Sequence, residues 1–75
     1  MDGYEVLANE IITQAANDYR RALEKHKKHP RSRAFSTEAE ELERFFRSDW
    51  YKTLTDVDGE LIIRGLREEA YGNDK

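Results

Sequence analysis

This chain predicts an all-α fold, a small bundle of three main helices over about residues 4–28, 37–54 and 59–71. Three observations carry that prediction. Apolar residues recur at spacings of three and four, the stretches between them are made of capping and turn residues, and no run alternates as a half-buried strand would. The one short apolar run, Leu61-Ile62-Ile63, lies inside a pattern with helical caps, and a strand there is the alternative.

The first helix is marked by Tyr4, Ala8, Ile11, Ile12, Ala15, Tyr19, Ala22 and Leu23, which fall on one helical face. Asp2 or Gly3 can start it. Glu5 favours its positive dipole end, while Lys25, Lys27 and Lys28 favour the negative one. Pro30 stops it, because the residue before a proline is driven away from helical angles.

A basic connector over residues 29–35 follows. Thr37 with Glu40 forms a capping box, which places the start of the second helix there. Ala39, Leu42, Phe45 and Phe46 make its inward stripe, with Glu38, Glu41 and Arg44 toward solvent. Ser48-Asp49 is a second cap-like pair, so a break near residue 48 is expected before Trp50, Tyr51 and Leu54. Thr55 to Gly59 reads as a turn and cap. Leu61, Ile62, Leu66 and Ala70 then give the last stripe, and the tail 72–75 is expected to fray.

The 75 residues are enough for one domain and only a modest core. With no cysteine, disulfides and thiolate chemistry are excluded. No apolar run approaches the roughly 20 residues of a membrane span, and Met1-Asp2-Gly3-Tyr4-Glu5 does not open a signal peptide. The expectation is therefore a complete chain in the cytoplasm, with no membrane partner.

The net charge of −3 conceals a partition. Residues 1–19 hold Asp2, Glu5, Glu10 and Asp18, a net −4. Residues 20–33 hold Arg20, Arg21, Lys25, Lys27, Lys28, Arg31 and Arg33 against Glu24, a net +6. This basic island could meet phosphates, an acidic protein, or the acidic surface of a second copy, or it could be a solvated helix end that satisfies the dipole.

Glu43 to Tyr51 places four aromatics in seven residues. Either the chain turns at Ser48 to bury both halves, or part of the cluster is exposed for recognition. Phe45, Arg47, Trp50 and Tyr51 are the candidate contact residues, since Trp, Tyr and Arg are enriched where interfaces concentrate their energy. The structural alternative is a core cluster with Arg47 paired to an acid such as Asp49 or Asp56.

Other motifs lose to helix capping. Leu54-Thr55-Asp56-Val57-Asp58-Gly59 is like the signature of haloacid-dehalogenase-like phosphotransferases, but those need a strand end in a large α/β domain, and only sixteen residues follow Gly59. Read as a calcium loop with Gly59 at position six, it would put Leu54 and Gly65 at two decisive ligand positions. His26 and His29 lack further ligands at metal spacing. Neither cofactor nor metal is expected, and no catalytic constellation can be assembled. Gly65 inside the third helix calls for close helix approach or a ligand surface.

The string Glu43-Arg44-Phe45-Phe46-Arg47-Ser48-Asp49-Trp50-Tyr51, continued by Leu54-Thr55, Val57-Asp58-Gly59-Glu60, Arg64 and Leu66-Arg67-Glu68-Glu69, resembles a family of small proteins encoded by phages, prophages and related mobile elements of Firmicutes. The resemblance covers most of residues 40–69 and brings no activity and no functional residues with it. It implies a mobile-element setting, where small proteins regulate, package or oppose host defence. The expected function is thus a non-enzymatic interaction protein that binds a macromolecular partner stoichiometrically, a protein before a nucleic acid, with countering host defence one form of that and homo-oligomer assembly open to it. Two alternatives stand beside it: nucleic-acid binding through residues 20–33, and an oligomer that sequesters a small ligand or nucleotide near Arg47, Trp50 and Tyr51.

Overall fold

The computed structural model describes residues 3–72 and contains, among them, four helices and no strand: α1 (Gly3–Lys28), α2 (Arg33–Phe46), α3 (Asp49–Leu54) and α4 (Gly59–Tyr71). Ile11 and Ala15 sit beside Phe45 and Leu42, while Leu23 and His26 sit beside Ala39 and Ser36, so α2 runs antiparallel to α1. Tyr19 meets Arg67 and Lys27 meets Ala70, so α4 returns parallel to α1. The helical bundle is therefore as expected, with the anticipated break realised as a separate short helix.

Four features depart from the reading of the sequence. The second helix starts four residues earlier than Thr37: Ser32 is its N-cap, accepting a hydrogen bond from the Phe35 amide at 3.4 Å, and the connector shrinks to residues 29–32. The earlier start draws Phe35 into helix, where its ring lies 5.8 Å from that of His29 and beneath Lys25 at 5.6 Å. In α4 it is Ile63, with Leu66 and Ala70, that points inward, while Leu61 is exposed. The register is set by Gly59 at the first turn, since Gly59, Ile63, Leu66 and Ala70 share a face. Tyr4 is exposed rather than inward, and its hydroxyl donates to the Thr53 carbonyl at 2.9 Å. Glu38 is half-buried, not solvated. The proposed start at Asp2 and the fraying of residues 73–75 lie outside the described residues.

The core is built on Tyr19, Phe46, Tyr51 and Ile63, all fully buried, with Ala22, Leu23, Ala39, Leu66 and Ala70 around them. Each of the four large side chains contributes about 1.5–3 kcal/mol of burial. The alanines let the helices approach. Ser48 caps α3 by accepting from the Tyr51 amide at 3.1 Å, and Asp58 caps α4 by accepting from the Glu60 amide at 3.0 Å. No helix among the described residues is long and apolar enough to cross a membrane.

The two glycines of α4 have opposite reasons. A Cβ on Gly59 would lie 2.0 Å from the Phe46 carbonyl oxygen, so the start of α4 abuts the backbone of α2 and only glycine fits. Gly65 has nothing within 4 Å of such a Cβ, so close helix approach within the chain does not account for it. Gly59→Ala is expected to lower stability by about 1–3 kcal/mol, whereas Gly65→Ala raises it by about 0.5–1 kcal/mol. Thermal melts of the two variants against the parent read these opposite signs.

Candidate functional site

The most tightly connected polar group lies between α1, α2 and α4. Tyr19 is buried to 0% exposure, where a hydroxyl without a partner costs free energy. Its hydroxyl donates to Glu43 Oε2 at 2.5 Å, and accepts from Arg67 Nε at 3.1 Å. Arg67 Nη2 donates to the same Glu43 oxygen at 2.6 Å. Arg47, one turn after Glu43, comes within 3.9 Å of its other oxygen and donates through Nε to Glu60, with Nη2 3.3 Å from the second Glu60 oxygen. Arg47 thus pairs with Glu60 and Glu43, not with Asp49 or Asp56, because residue 47 faces the start of α4 where Gly59 brings it close.

Burial first, and then the hydrogen bond to Glu43, pushes the Tyr19 phenol up to about 12. For Glu43 burial acts upward, but the hydrogen bonds from Tyr19 and Arg67 and the charges of Arg67 and Arg47 outweigh it and hold the carboxyl below its ordinary value. Tyr19 therefore keeps its proton and Glu43 its charge. A pair held apart in this way locks helices together and is poorly placed to exchange protons with a substrate near neutrality.

The aromatic segment divides at the α2–α3 break. Phe46 and Tyr51 enter the core with rings 5.6 Å apart, while Phe45 lies partly exposed with its ring edge-on to those of Phe46, Tyr51 and Trp50. Of the four candidates here, Tyr51 is buried to 1% and belongs to the core; its hydroxyl has no hydrogen-bond partner, and burial, then the Asp58 charge, raises its pKa. Trp50 is 57% exposed. Alongside it, Ile11, Gln14, Ala15 and Asp18 of α1 and Leu42 and Phe45 of α2 line a shallow groove of about 350 Å³. Leu7, four residues before Ile11 and exposed, extends the line by one turn.

The basic island is not one surface. Arg20 pairs with Glu69 at 2.6 Å and Arg21 with Asp18 at 3.6 Å. Lys27 donates to the Ala70 carbonyl at 2.8 Å, supplying the C-terminal end of α4 with a cation that its own last turn lacks. Lys28, Arg31 and Arg33 make no ion pair among the described residues and flank the α1–α2 turn, exposed. His26 approaches the Tyr71 hydroxyl at 3.2 Å and His29 the Phe35 ring, so the two go to different neighbours. No group of three or more potential metal ligands occurs among the described residues.

Reading the sequence missed Glu43 and Arg67 as the organising ion pair and the Ile11–Phe45 groove. A signal for the pair existed: a glutamate within the inward stripe of α2, between Leu42 and Phe46. Tyr19→Phe is expected to cost about 1 kcal/mol, and Glu43→Gln about 1.5–3 kcal/mol, toward the low end because Arg67 is half exposed. Since Glu43 titrates lower when folded, its contribution is present above the unfolded carboxylate range and fades as pH falls through the folded value. Tyr19 titrates higher when folded, so its contribution holds below pH 10 and is lost on passing from 10 toward 12. Denaturant titrations at stepped pH follow both limbs, and each limb should flatten in the corresponding variant.

No protein-family model matches the chain, and no curated protein or solved structure matches it.

Proposed function

We propose that this chain is a non-enzymatic interaction protein that works by stoichiometric contact through the face carrying Trp50, Phe45 and the Ile11–Leu42 groove. The observation that carries this reading is the placement of Trp50. In a chain short of core, its largest side chain is left 57% exposed yet held edge-on against Phe45 at 5.4 Å. A held, exposed tryptophan beside apolar neighbours is how an interface anchor is built. The mobile-element resemblance supports a partner that is a host or phage macromolecule, with opposition to host defence one such role, in the cytoplasm.

Trp50→Ala is expected to change folding stability by less than about 1 kcal/mol while abolishing contact. A photo-crosslinking amino acid at position 50 in producing cells should give a discrete protein adduct, and one at Thr13, on the far face of α1 with Val6, Asn9 and Asn17, should not. Equal labelling from both positions, or none from position 50, counts against the reading.

A second reading, nucleic-acid binding, is favoured by Lys28, Arg31 and Arg33, which follow one another, exposed, from the end of α1 to the start of α2 and make no ion pair among the described residues. It predicts an affinity for DNA or RNA that falls steeply with salt and drops in a Lys28→Ala/Arg31→Ala/Arg33→Ala variant. Fluorescence anisotropy that shows no salt-dependent binding removes it.

A further inference from the structure

The chain leaves the end of α2 at Phe46 and meets itself again at Gly59, whose backbone abuts the Phe46 carbonyl. Residues 47–58 are therefore an excursion with a closed neck, within the roughly 6–16 residues of compact loops of this kind. The neck is fixed twice over. Phe46 and Gly59 are buried, and beside them Arg47 pairs with Glu60.

Beyond the neck the excursion is lightly held. Of residues 47–58 only Tyr51 is buried. α3 has six residues, too few to be stable as a helix alone. The backbone bonds at its two ends are long, 3.4 Å from the Lys52 amide to the Ser48 carbonyl and 3.3 Å from the Thr55 amide to the Tyr51 carbonyl, against roughly 2.9–3.0 Å for an ordinary one. Lys52 pairs with Asp49 inside α3, at 3.8 Å, a pair that adds no tie to the bundle. The bond to the Thr53 carbonyl comes from Tyr4, an exposed side chain. A cavity of about 510 Å³ lies between the excursion and the start of α4, lined by Phe46, Tyr51, Thr55, Val57 and Gly59, so one side of the excursion is backed by space.

Its single buried anchor works against itself. The Tyr51 ring packs on Phe45 and Phe46 at 5.8 and 5.6 Å, yet its hydroxyl is buried without a partner. Tyr19, the other tyrosine of the core, has Glu43 and Arg67 for its oxygen. For Tyr51, closure gains the apolar contact of the ring and loses the hydration of the oxygen, and opening returns that hydration. One tyrosine locks the three long helices; the other holds the excursion with part of its burial opposed.

We infer that residues 48–58 are a strap that opens and recloses as one unit on the neck between Phe46 and Gly59, while α1, α2 and α4 stay packed. Opening lifts Trp50 and Tyr51 from Phe45, and Tyr51 from Phe46. The open form bares the Phe45 ring next to Ile11 and Leu42 and uncovers one side of Phe46. The strap moves in the free chain, whether or not Trp50 meets a partner.

Native-state hydrogen exchange on the full chain, followed by NMR at increasing denaturant, tests this. The hydrogen-bonded amides of Tyr51, Lys52 and Thr55 should report one shared open state, about a hundred-fold or more populated than the one that frees the amides of Leu23 in α1 and Leu66 in α4, and less sensitive to denaturant. Tyr51→Phe keeps the ring and removes the unpaired oxygen. It should slow exchange at all three amides by a common factor of about ten, and leave the melting temperature unchanged or raised. Exchange of the three amides only with global unfolding overturns the inference. So does a Tyr51→Phe chain that melts lower, that slows none of the three amides, or that slows one without the others. A strap that opens in this way with no adduct from position 50 upholds the strap and removes the contact reading. A position-50 adduct from a chain whose α3 exchanges only globally does the reverse.

Discussion

The fold depends on giving the Tyr19 hydroxyl a partner. A tyrosine at the centre of a 75-residue chain supplies apolar volume that no smaller residue could, but leaving its oxygen unpaired there, as the Tyr51 hydroxyl is, costs free energy. Glu43 accepts that proton, and a half-buried carboxylate then needs a cation, which Arg67 provides from α4. One buried ring therefore recruits one residue from each of the other two long helices. The separation between α1, α2 and α4 is set where these three side chains meet. The Arg47–Glu60 pair, half exposed at both partners, adds little energy by itself. Its effect is positional, since it holds the start of α4 against the end of α2 at the point where Gly59 touches the Phe46 carbonyl.

Helix lengths decide what remains open. α1 has 26 residues and α2 only 14, so α2 runs out about halfway along its neighbour. Among the described residues, the six of α3 lie against the first turns of α1, tied by the bond from Tyr4 to Thr53. Tyr4, Val6, Leu7 and Trp50 are exposed at that end because no further element among the described residues reaches them. The break at Ser48 serves the core first, turning the chain so that Phe46 and Tyr51 both point inward. Trp50, one residue earlier than Tyr51 on a helix one and a half turns long, is then directed outward. Exposure of Trp50 follows from burial of Tyr51.

The helices, the break at Ser48 and the cap at Asp58 were legible because each is a local matter: a period of three or four, or a side-chain oxygen next to free amides. The start of α2 was not, because Ser32 and Thr37 are both good caps and the choice between them is made by Phe35, whose neighbours come from the end of α1. The inward face of α4 was misread for a similar reason. Leu61, Ile62 and Ile63 are equally apolar, and the register comes from the contact between Gly59 and Phe46, thirteen residues away in sequence. The candidate site was legible in its aromatic half and hidden in its ionic half. Trp50 and Phe45 stand out by composition, whereas Glu43, Arg67 and Glu60 look like any charged residues until three helices bring them together.

The basic island shows how a charge pattern can be local in sequence and divided in space. α1 and α4 end at the same end of the bundle, so two sets of unsatisfied carbonyls converge there. Lys27 serves the end of α4, and Lys25 and Lys28 lie in the last turn of α1, where the dipole favours them. Arg20 and Arg21 go to carboxylates. Only Arg31 and Arg33 stand where the dipole opposes them, at the beginning of α2, whose first turn contains no acid. Most of the island is thus accounted for by helix ends and ion pairs. What is left over is two arginines at a turn, a smaller surface than the seven charges in the sequence suggest.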